Sequence, residues 1–223
     1  MDTARIAELL QPFLSNPNAT LLQYISTYID ILLRWNSRIN LTAIRDPEEI
    51  VTRHFGESLF AASHLFPHGA AVKGDAVGAR RPTPDASPSV ADIGSGAGFP
   101  GLPLKLWAPE ISLTLIESNH KKTTFLREVA RVLTLTNVNI QNTRAESLTG
   151  TLFDLVTLRA VERFDTILPT AANLVAPSGS LALLIGAAQL PQARAAQPNL
   201  DWSAPIPVPQ SRNRILAVAL RHP

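Results

Sequence analysis

The chain has 223 residues, of which 45% are hydrophobic, so it can form one ordinary domain whose core needs no metal or disulfide support. It contains no cysteine, which excludes disulfides, thiolate metal sites and cysteine nucleophiles. The formal net charge of +2 permits nucleic-acid binding without requiring it.

The first third of the chain is predicted to be an N-terminal helical region, residues 1–66. Apolar residues recur at helical spacing over residues 3–14 and 18–40. A third helical stretch, residues 47–66, begins with Pro47 followed by two glutamates, which is a typical helix start. Residues 67–88 are rich in proline and glycine and are predicted to form a flexible loop.

No apolar run approaches the ~20 residues that a membrane-spanning helix needs. The N-terminus also lacks the pattern of a secretory signal. We therefore expect a cytoplasmic protein that has no membrane partner.

From residue 89 to the end, short β-rich runs alternate with helical segments. Strands are predicted at 89–93, 111–117, 138–142, 153–158, 180–185 and 214–220, and helices at 100–108, 120–133, 162–175 and 188–195. This alternation indicates an α/β domain, residues 89–223, with a mostly parallel sheet covered on both faces. The last strand follows a proline-rich stretch, so we expect it to run antiparallel, and the stretch around 200–207 offers one further strand.

A glycine-rich loop follows the first predicted strand. In "VADIGSGAGFPG", residues 90–101, four glycines fall within eight residues. Glycine permits positive φ and lets a ligand lie against bare backbone. In an open α/β sheet, ligands bind at the carboxyl ends of the strands, where this loop lies.

Three kinds of ligand compete for this loop. A Walker loop for phosphate needs lysine and a hydroxyl residue after the last glycine, whereas Gly101 is followed by Leu102. "GAGFPG" matches a dinucleotide fingerprint, but the match begins two residues late and Pro100 has no N–H to donate. A nicotinamide dehydrogenase therefore stays as an alternative.

The third interpretation starts at Asp92, which is followed by a glycine at every second position, Gly94, Gly96 and Gly98. This pattern resembles motif I of the class I S-adenosylmethionine-dependent methyltransferases, which have a Rossmann-like sheet with an antiparallel last strand. Glu117 closes the second predicted strand, and a carboxylate there can accept both ribose hydroxyls of that cofactor.

Further motifs narrow the resemblance. "RWNSRINLTAIRDPEEIVTRHFGESL", "DIGSGAGFPGLPL", "LIESNHKKTTFLREV", "RAES" and "FDLVTLRAV" occur in this order. Together they resemble the bacterial small-subunit ribosomal RNA guanine-N7 methyltransferases, also called the glucose-inhibited division protein B family. The resemblance covers roughly residues 20–66 and 90–186, and it implies a guanine of 16S rRNA, free or in the small-subunit particle, as substrate.

The resemblance also implies site residues. Arg159 is expected to reach both the cofactor and the target, and Arg53 and His54 are expected near the mouth of the site. The other expected S-adenosylmethionine contacts are Gly94, Gly96, Gly98, Phe99, Glu117, Ala145 and Glu146. The histidines show no metal-ligand spacing, so we expect no metal.

The expected chemistry needs no general base, because the lone pair of guanine N7 carries no proton and is itself the nucleophile. Catalysis by positioning is therefore predicted. Two residues depart from the usual family pattern: Glu57 stands where aspartate is usual, and Ile185 where lysine is usual. Two other functions stay open, a methyltransferase for a small molecule or protein and a non-catalytic RNA-binding or assembly factor. The sequence predicts no oligomeric state.

Overall fold

The computed structural model describes residues 1–67, 87–148, 150–159 and 164–223. The loop predicted at 67–88 thus lies almost entirely outside the described residues. So does the start of the helix predicted at 162–175. The proposed division into a helical region and a methyltransferase domain stays a prediction.

The N-terminal helical region is present, and one part of it is a π-helix that the sequence did not predict. Its elements are α1 (Thr3–Leu10), α2 (Ala19–Asn36), α3 (Pro47–Glu49), a π-helix (Ile50–Gly56) and α4 (Glu57–Leu65). The last three are continuous and form the helix predicted at 47–66, whose middle is π-helical. Helix α2 ends at Asn36, earlier than the predicted residue 40, because the Asn36 side chain bonds the backbone of Leu41 and Thr42.

The described part of the α/β region forms an eight-stranded sheet in the order β3-β2-β1-β4-β5-β8-β6, with β7 also paired to β8. Strands β1 to β5 pair in parallel, and β8 runs antiparallel to β5, as expected for the last strand. Strands β6 and β7 pair antiparallel with β8. The strands are β1 (Ser89–Ile93), β2 (Ser112–Ile116), β3 (Val138–Gln141), β4 (Phe153–Arg159), β5 (Val175–Gly186), β6 (Leu200–Trp202), β7 (Ile206–Pro207) and β8 (Arg214–Arg221).

Helices cover both faces of this sheet. They are α5 (Gly101–Trp107), α6 (His120–Val132), α7 (Phe164–Asn173) and α8 (Leu190–Ala196), and 3₁₀ turns lie at Ala145–Ser147 and Ala187–Gln189. Strand β5 begins at Val175 instead of the predicted residue 180, because an irregularity in its pairing with β4 lets Val175 pair with Phe153.

Alternate residues of each strand point into two separate hydrophobic cores, as the two-residue period of a strand requires. Val90 and Leu115 contribute to a core shared with α1, α2, α4, α5 and α6. Ala91 and Ile93 contribute to the second core, shared with α7 and α8. The N-terminal helices therefore share one core with one face of the sheet, which fixes them beside the carboxyl ends of its strands.

Candidate active site

The glycine loop follows β1 and turns sharply. Gly94, Gly96 and Gly98 all have positive φ, of 67°, 55° and 85°, a backbone region that favours glycine. The loop ends at Gly101, where α5 begins. A Cβ atom at Gly101 would lie 2.6 Å from the Leu115 side chain, so this position must stay small.

Most amide groups of this loop are already bonded within the protein. The Gly94 and Ser95 N–H groups donate to the Ile116 carbonyl, and the Gly96 N–H donates to Glu117 Oε2 at 3.0 Å. Gly98 N–H donates to the Ser95 carbonyl. Phosphate loops instead aim such amides at the anion, so this geometry disfavours a dinucleotide and favours a ligand without phosphate.

Glu117 lies directly after β2, with its side chain at the edge of the loop. Its Oε2 accepts from Gly96 N–H and its Oε1 accepts from Asn119 N–H at 2.7 Å. A carboxylate has about four lone-pair positions, so two stay available for a ligand. Because the two backbone bonds fix the carboxylate, those positions have a defined direction.

A cavity of about 870 Å³ opens at the carboxyl ends of β1 to β4. Its volume is within the range of about 300–1,000 Å³ that is usual for small-molecule sites. Of the residues expected at the cofactor, those that line this cavity are Gly94, Gly96, Phe99, Glu117, Ala145, Glu146 and Arg159. His54 lines it as well, together with Leu41, Thr42 and Ala43, which the sequence reasoning did not assign to the site.

The described lining of the cavity does not include two of the expected site residues, Gly98 and Arg53. Gly98 packs against the N-terminal helices, since a Cβ atom there would lie 2.3 Å from the Tyr28 hydroxyl. The described lining does not include it, so its position indicates a packing role. Arg53 is half-exposed and pairs with Glu49 at 3.0 Å, while its backbone carbonyl accepts a bond from Arg159.

Tyr28 connects helix α2 to the glycine loop. Its buried hydroxyl donates to the Ala97 carbonyl at 2.6 Å, and its ring stacks on Phe99 with centroids 5.5 Å apart. Phe99 in turn stacks on the His54 ring at 4.8 Å. This aromatic column holds the loop against the helical region.

Arg159, at the end of β4, makes a buried ion pair with Glu57. Its Nη2 lies 2.9 Å from Glu57 Oε2, and the two side chains are 7% and 4% exposed. Burial lowers the pKa of Arg159, although the Glu57 carboxylate opposes this effect. Glu57 thus keeps the carboxylate of the usual aspartate and uses it to compensate a buried cation.

His54 bonds both sides of its ring within this cluster. Arg159 Nη1 lies 3.2 Å from His54 Nδ1, and Thr42 Oγ1 lies 2.8 Å from His54 Nε2. Burial, followed by the positive charges of Arg159, Arg53 and Arg214, lowers the pKa of His54 to about 3. The ring is therefore neutral at pH 7. Since arginine can only donate, Nδ1 accepts and Nε2 carries the proton that is donated to Thr42.

Thr42 is fixed from its other side by Asn36. Asn36 Oδ1 accepts from the Thr42 N–H at 3.1 Å, and Asn36 Nδ2 donates to the Thr42 carbonyl at 2.9 Å. The Thr42 hydroxyl also accepts from the Ile44 N–H at 3.1 Å. We call the following residues the polar network: Asn36, Thr42, His54, Glu57 and Arg159. They link two motifs that are far apart in the sequence.

Ile185 does not line the cavity within the described part of the chain. Its side chain is 3% exposed and packs in the core beneath α7 and α8. A cation nevertheless lies at this edge of the sheet, because Arg214 pairs with Gly186 across β5 and β8. Its Nε lies 3.8 Å from Glu57 Oε2.

Within the described ranges, no three histidine, aspartate or glutamate side chains cluster closely enough to hold a metal ion. No helix of the same ranges is long and apolar enough to span a membrane.

Comparison with known proteins agrees with this geometry. The model of the GidB family, described as rRNA small subunit methyltransferase G, matches residues 21–208. The chain belongs to this family. It is 40% identical over 182 residues to the ribosomal RNA small subunit methyltransferase G of Halorhodospira halophila, covering 79% of this chain and 78% of that protein. It is 38% identical over 160 residues to that of Xanthomonas oryzae pv. oryzae, covering 71% and 66%.

Solved structures confirm the expected fold. A predicted O-methyltransferase from Agrobacterium tumefaciens superposes with a TM-score of 0.54 at 16% identity, covering 74% of this chain and 80% of that one. A SAM-dependent methyltransferase from Aquifex aeolicus gives 0.51 at 14% identity, covering 60% and 81%. The class I methyltransferase fold predicted from the glycine loop is therefore confirmed, and so is the predicted family.

S-adenosylmethionine, the cofactor of this family, fits the residues present. It carries no phosphate, which agrees with a loop whose N–H groups are mostly bonded within the protein. Its ribose hydroxyls can donate to the two lone-pair positions of the Glu117 carboxylate that the backbone leaves open. Gly96 leaves bare backbone beside that carboxylate, because the nearest atom to a Cβ there is the Gly94 carbonyl oxygen at 3.7 Å.

Proposed function

We propose that this protein methylates N7 of a guanine in 16S rRNA, with S-adenosylmethionine as the methyl donor. The observation that carries the proposal is the state of His54, a histidine that lines the cavity. Both of its ring nitrogens are engaged and its pKa is about 3, so it is not available to remove a proton from a substrate at pH 7. Guanine N7 needs no deprotonation.

The cofactor supplies a methyl group on a positively charged sulfur, and the chain's own residues do the rest. We assign the ribose to Glu117, the adenine side to Ala145 and Glu146, and the loop contacts to Gly94, Gly96 and Phe99. Arg159 lines the same cavity and pairs with Glu57 of helix α4. The Glu57 carboxylate opposes its charge, which lessens the repulsion between Arg159 and a base that becomes cationic on methylation.

Four basic residues around the cavity support an RNA substrate. Lys122 and Arg144 line the cavity, and Arg38 and Arg45 are exposed on the connection between α2 and α3 that carries Thr42. Cations around a cavity mouth are suited to RNA phosphates. We infer that the target guanine enters between this connection and β4, and that the protein acts in the cytoplasm.

The test is a deletion strain of the source organism, complemented with the wild-type protein or with Gly96→Asp. A carboxylate at Gly96 would enter the open space beside Glu117 and repel it, so this variant should lose cofactor binding. Mass spectrometry of 16S rRNA should show one N7-methylguanosine lost on deletion, restored by the wild-type protein and not by Gly96→Asp.

Unchanged N7-methylguanosine in the deletion strain would contradict the RNA substrate. Methylation of a free small molecule or protein in its place would support the first alternative. A wild-type protein that fails to bind S-adenosylhomocysteine in calorimetry would support a non-catalytic factor.

A further inference from the structure

The hydroxyl of Thr42 ends the polar network at the cavity wall. A hydroxyl has two lone pairs and one hydrogen to donate. Both lone pairs of Thr42 Oγ1 are filled, one by His54 Nε2–H and one by the Ile44 N–H. Across residues 1–67, 87–148, 150–159 and 164–223, Thr42 Oγ1 has no third hydrogen-bond partner. One donor therefore remains for a ligand.

Arg159, on the other side of His54 from Thr42, also has an N–H donor without a partner. Its Nε is buried and has no hydrogen-bond partner among the described residues, although its two terminal nitrogens are bonded. Its side chain is 7% exposed and lines the cavity. Buried polar groups without partners are rare in folded proteins, so the network is left one acceptor short at Arg159 within the described residues.

The network gives the Thr42 donor a fixed direction. Because the two filled lone pairs hold Oγ1 in one orientation, its hydrogen has one direction left. Asn36 prevents the Thr42 backbone from rotating, and Arg159 keeps His54 in the tautomer that donates to Thr42. Asn36, His54 and Arg159 thus act as positioning residues for one hydroxyl.

We propose that the Thr42 hydroxyl donates a hydrogen bond to O6 of the target guanine and thereby selects guanine and aims its N7. This inference rests on the proposed function. On the edge of guanine that carries N7, the neighbouring group is the O6 acceptor, whereas adenine presents an N6 amino donor there. A hydrogen-bond donor at this position binds the guanine edge and disfavours the adenine edge, because two donors would face each other there. The bond to O6 leaves the N7 lone pair free for the methyl group.

The experiment compares three variants on two substrates. Thr42→Val removes the hydroxyl at nearly constant shape, Thr42→Ala removes it and leaves room for water beside His54, and Thr42→Ser retains it. The substrates are small-subunit particles reconstituted with 16S rRNA that carries either guanine or 2-aminopurine at the methylated position. The 2-aminopurine base keeps N7 but lacks O6.

On guanine, kcat/KM should fall about tenfold or more for Thr42→Val and Thr42→Ala, the usual effect of one lost hydrogen bond, while Thr42→Ser stays near wild type. On 2-aminopurine, all four proteins should have similar kcat/KM values. The Kd for S-adenosylhomocysteine should not change. A structural role for Thr42 would lower activity on both bases equally.

Four results would overturn the inference: equal activity of Thr42→Ala and wild type on guanine, equal losses on both bases, no rescue by Thr42→Ser, or a cofactor Kd weakened as much as kcat/KM. The Thr42→Ala and Thr42→Ser variants are sufficient to obtain all four results. The test therefore still works if Thr42→Val does not fold. A wild-type protein with no activity on guanine would instead contradict the proposed function.

Discussion

Asp92 lies beneath the glycine loop with no exposed surface, and its carboxyl oxygens accept bonds from Gly101 N–H at 3.2 Å and Thr157 Oγ1 at 3.0 Å. Burial raises its pKa to about 7, although these hydrogen bonds oppose the shift. The described cavity lining does not include it. Its position therefore indicates support of the loop, not contact with the ligand.

Replacing Asp92 with asparagine should change how stability depends on pH. The folded pKa of about 7 lies above the ordinary 3.8, so the carboxyl stabilises the fold fully below pH 3.8 and progressively less up to pH 7. The free energy of unfolding of wild type minus that of Asp92→Asn should therefore fall between pH 4 and 7, by up to about 1.4 kcal/mol per unit. His54 has the opposite effect in this window, but it is present in both proteins.

Urea unfolding at pH 5, 6, 7 and 8 measures this difference. A difference that is constant over the four pH values, or that rises with pH, would contradict the raised pKa of Asp92.

Single residues of the site were predictable where local chemistry determines them. Glu117 could be identified because a carboxylate at the end of the second strand must face the loop. Gly98 looked equivalent to Gly94 and Gly96 in the sequence, but Tyr28, 70 positions earlier, occupies the space of its Cβ atom. No local pattern carries that information.

Helix α6 begins with three basic residues, His120, Lys121 and Lys122, where the positive end of the helix dipole disfavours cations. The Asn119 side chain caps this end by accepting from the Lys121 and Lys122 N–H groups, so the helix forms despite them. Since natural proteins break such local rules mainly at functional sites, we predict that these cations contact RNA phosphate.

Lys122→Gln should therefore change stability and RNA binding in opposite directions. Removal of the cation should raise the free energy of unfolding by about 0.3–1 kcal/mol. It should also make the plot of log K for a 16S rRNA transcript against log salt shallower by about 0.7–0.9, the contribution of one phosphate contact. Urea unfolding and filter binding at several salt concentrations measure the two effects.

Arg131→Gln is the matched control, because Arg131 is exposed in the last turn of the same helix, where a cation is favourable. It should lower the free energy of unfolding and leave the salt slope unchanged. Equal salt slopes for Lys122→Gln and wild type would remove Lys122 from the RNA surface.

The π-helix shows what an element-level pattern leaves out. Pro47 and the following glutamates predicted the helix start correctly, and Asp46 caps it by accepting from the Glu49 N–H. Nothing in "IVTRHFG" distinguishes a π-helix from an α-helix. Within this turn the Arg53 side chain is half-exposed, whereas the His54 ring is buried and stacks on Phe99. Such wide turns are frequent at functional sites.

Over the whole molecule, the order of strands and helices from residue 89 was predictable from the alternation of periods, and so was the antiparallel last strand. The polar network was not. Arg159 is 105 residues from His54 and 102 from Glu57, so the sequence showed both motifs but not the contact that joins them. The structure supplies that contact, since the motifs are the two sides of a single hydrogen-bonded wall.

Tyr28 is the residue at which helix α2, the glycine loop and the shared core meet, so its hydroxyl should couple stability to cofactor binding. Tyr28→Phe keeps the ring contacts with Phe55 and Phe99 but leaves the buried Ala97 carbonyl without its donor. The free energy of unfolding should fall by about 1–3 kcal/mol, the cost of an unsatisfied buried group. Affinity for S-adenosylhomocysteine should fall as well, because Ala97 and Phe99 line the cavity.

Tyr24→Phe, one turn earlier on α2 and outside the described lining, is the control and should change neither quantity appreciably. Urea unfolding and calorimetry measure both, and a Tyr28→Phe protein with reduced stability but unchanged cofactor affinity would show that the helical region supports the fold without shaping the binding loop.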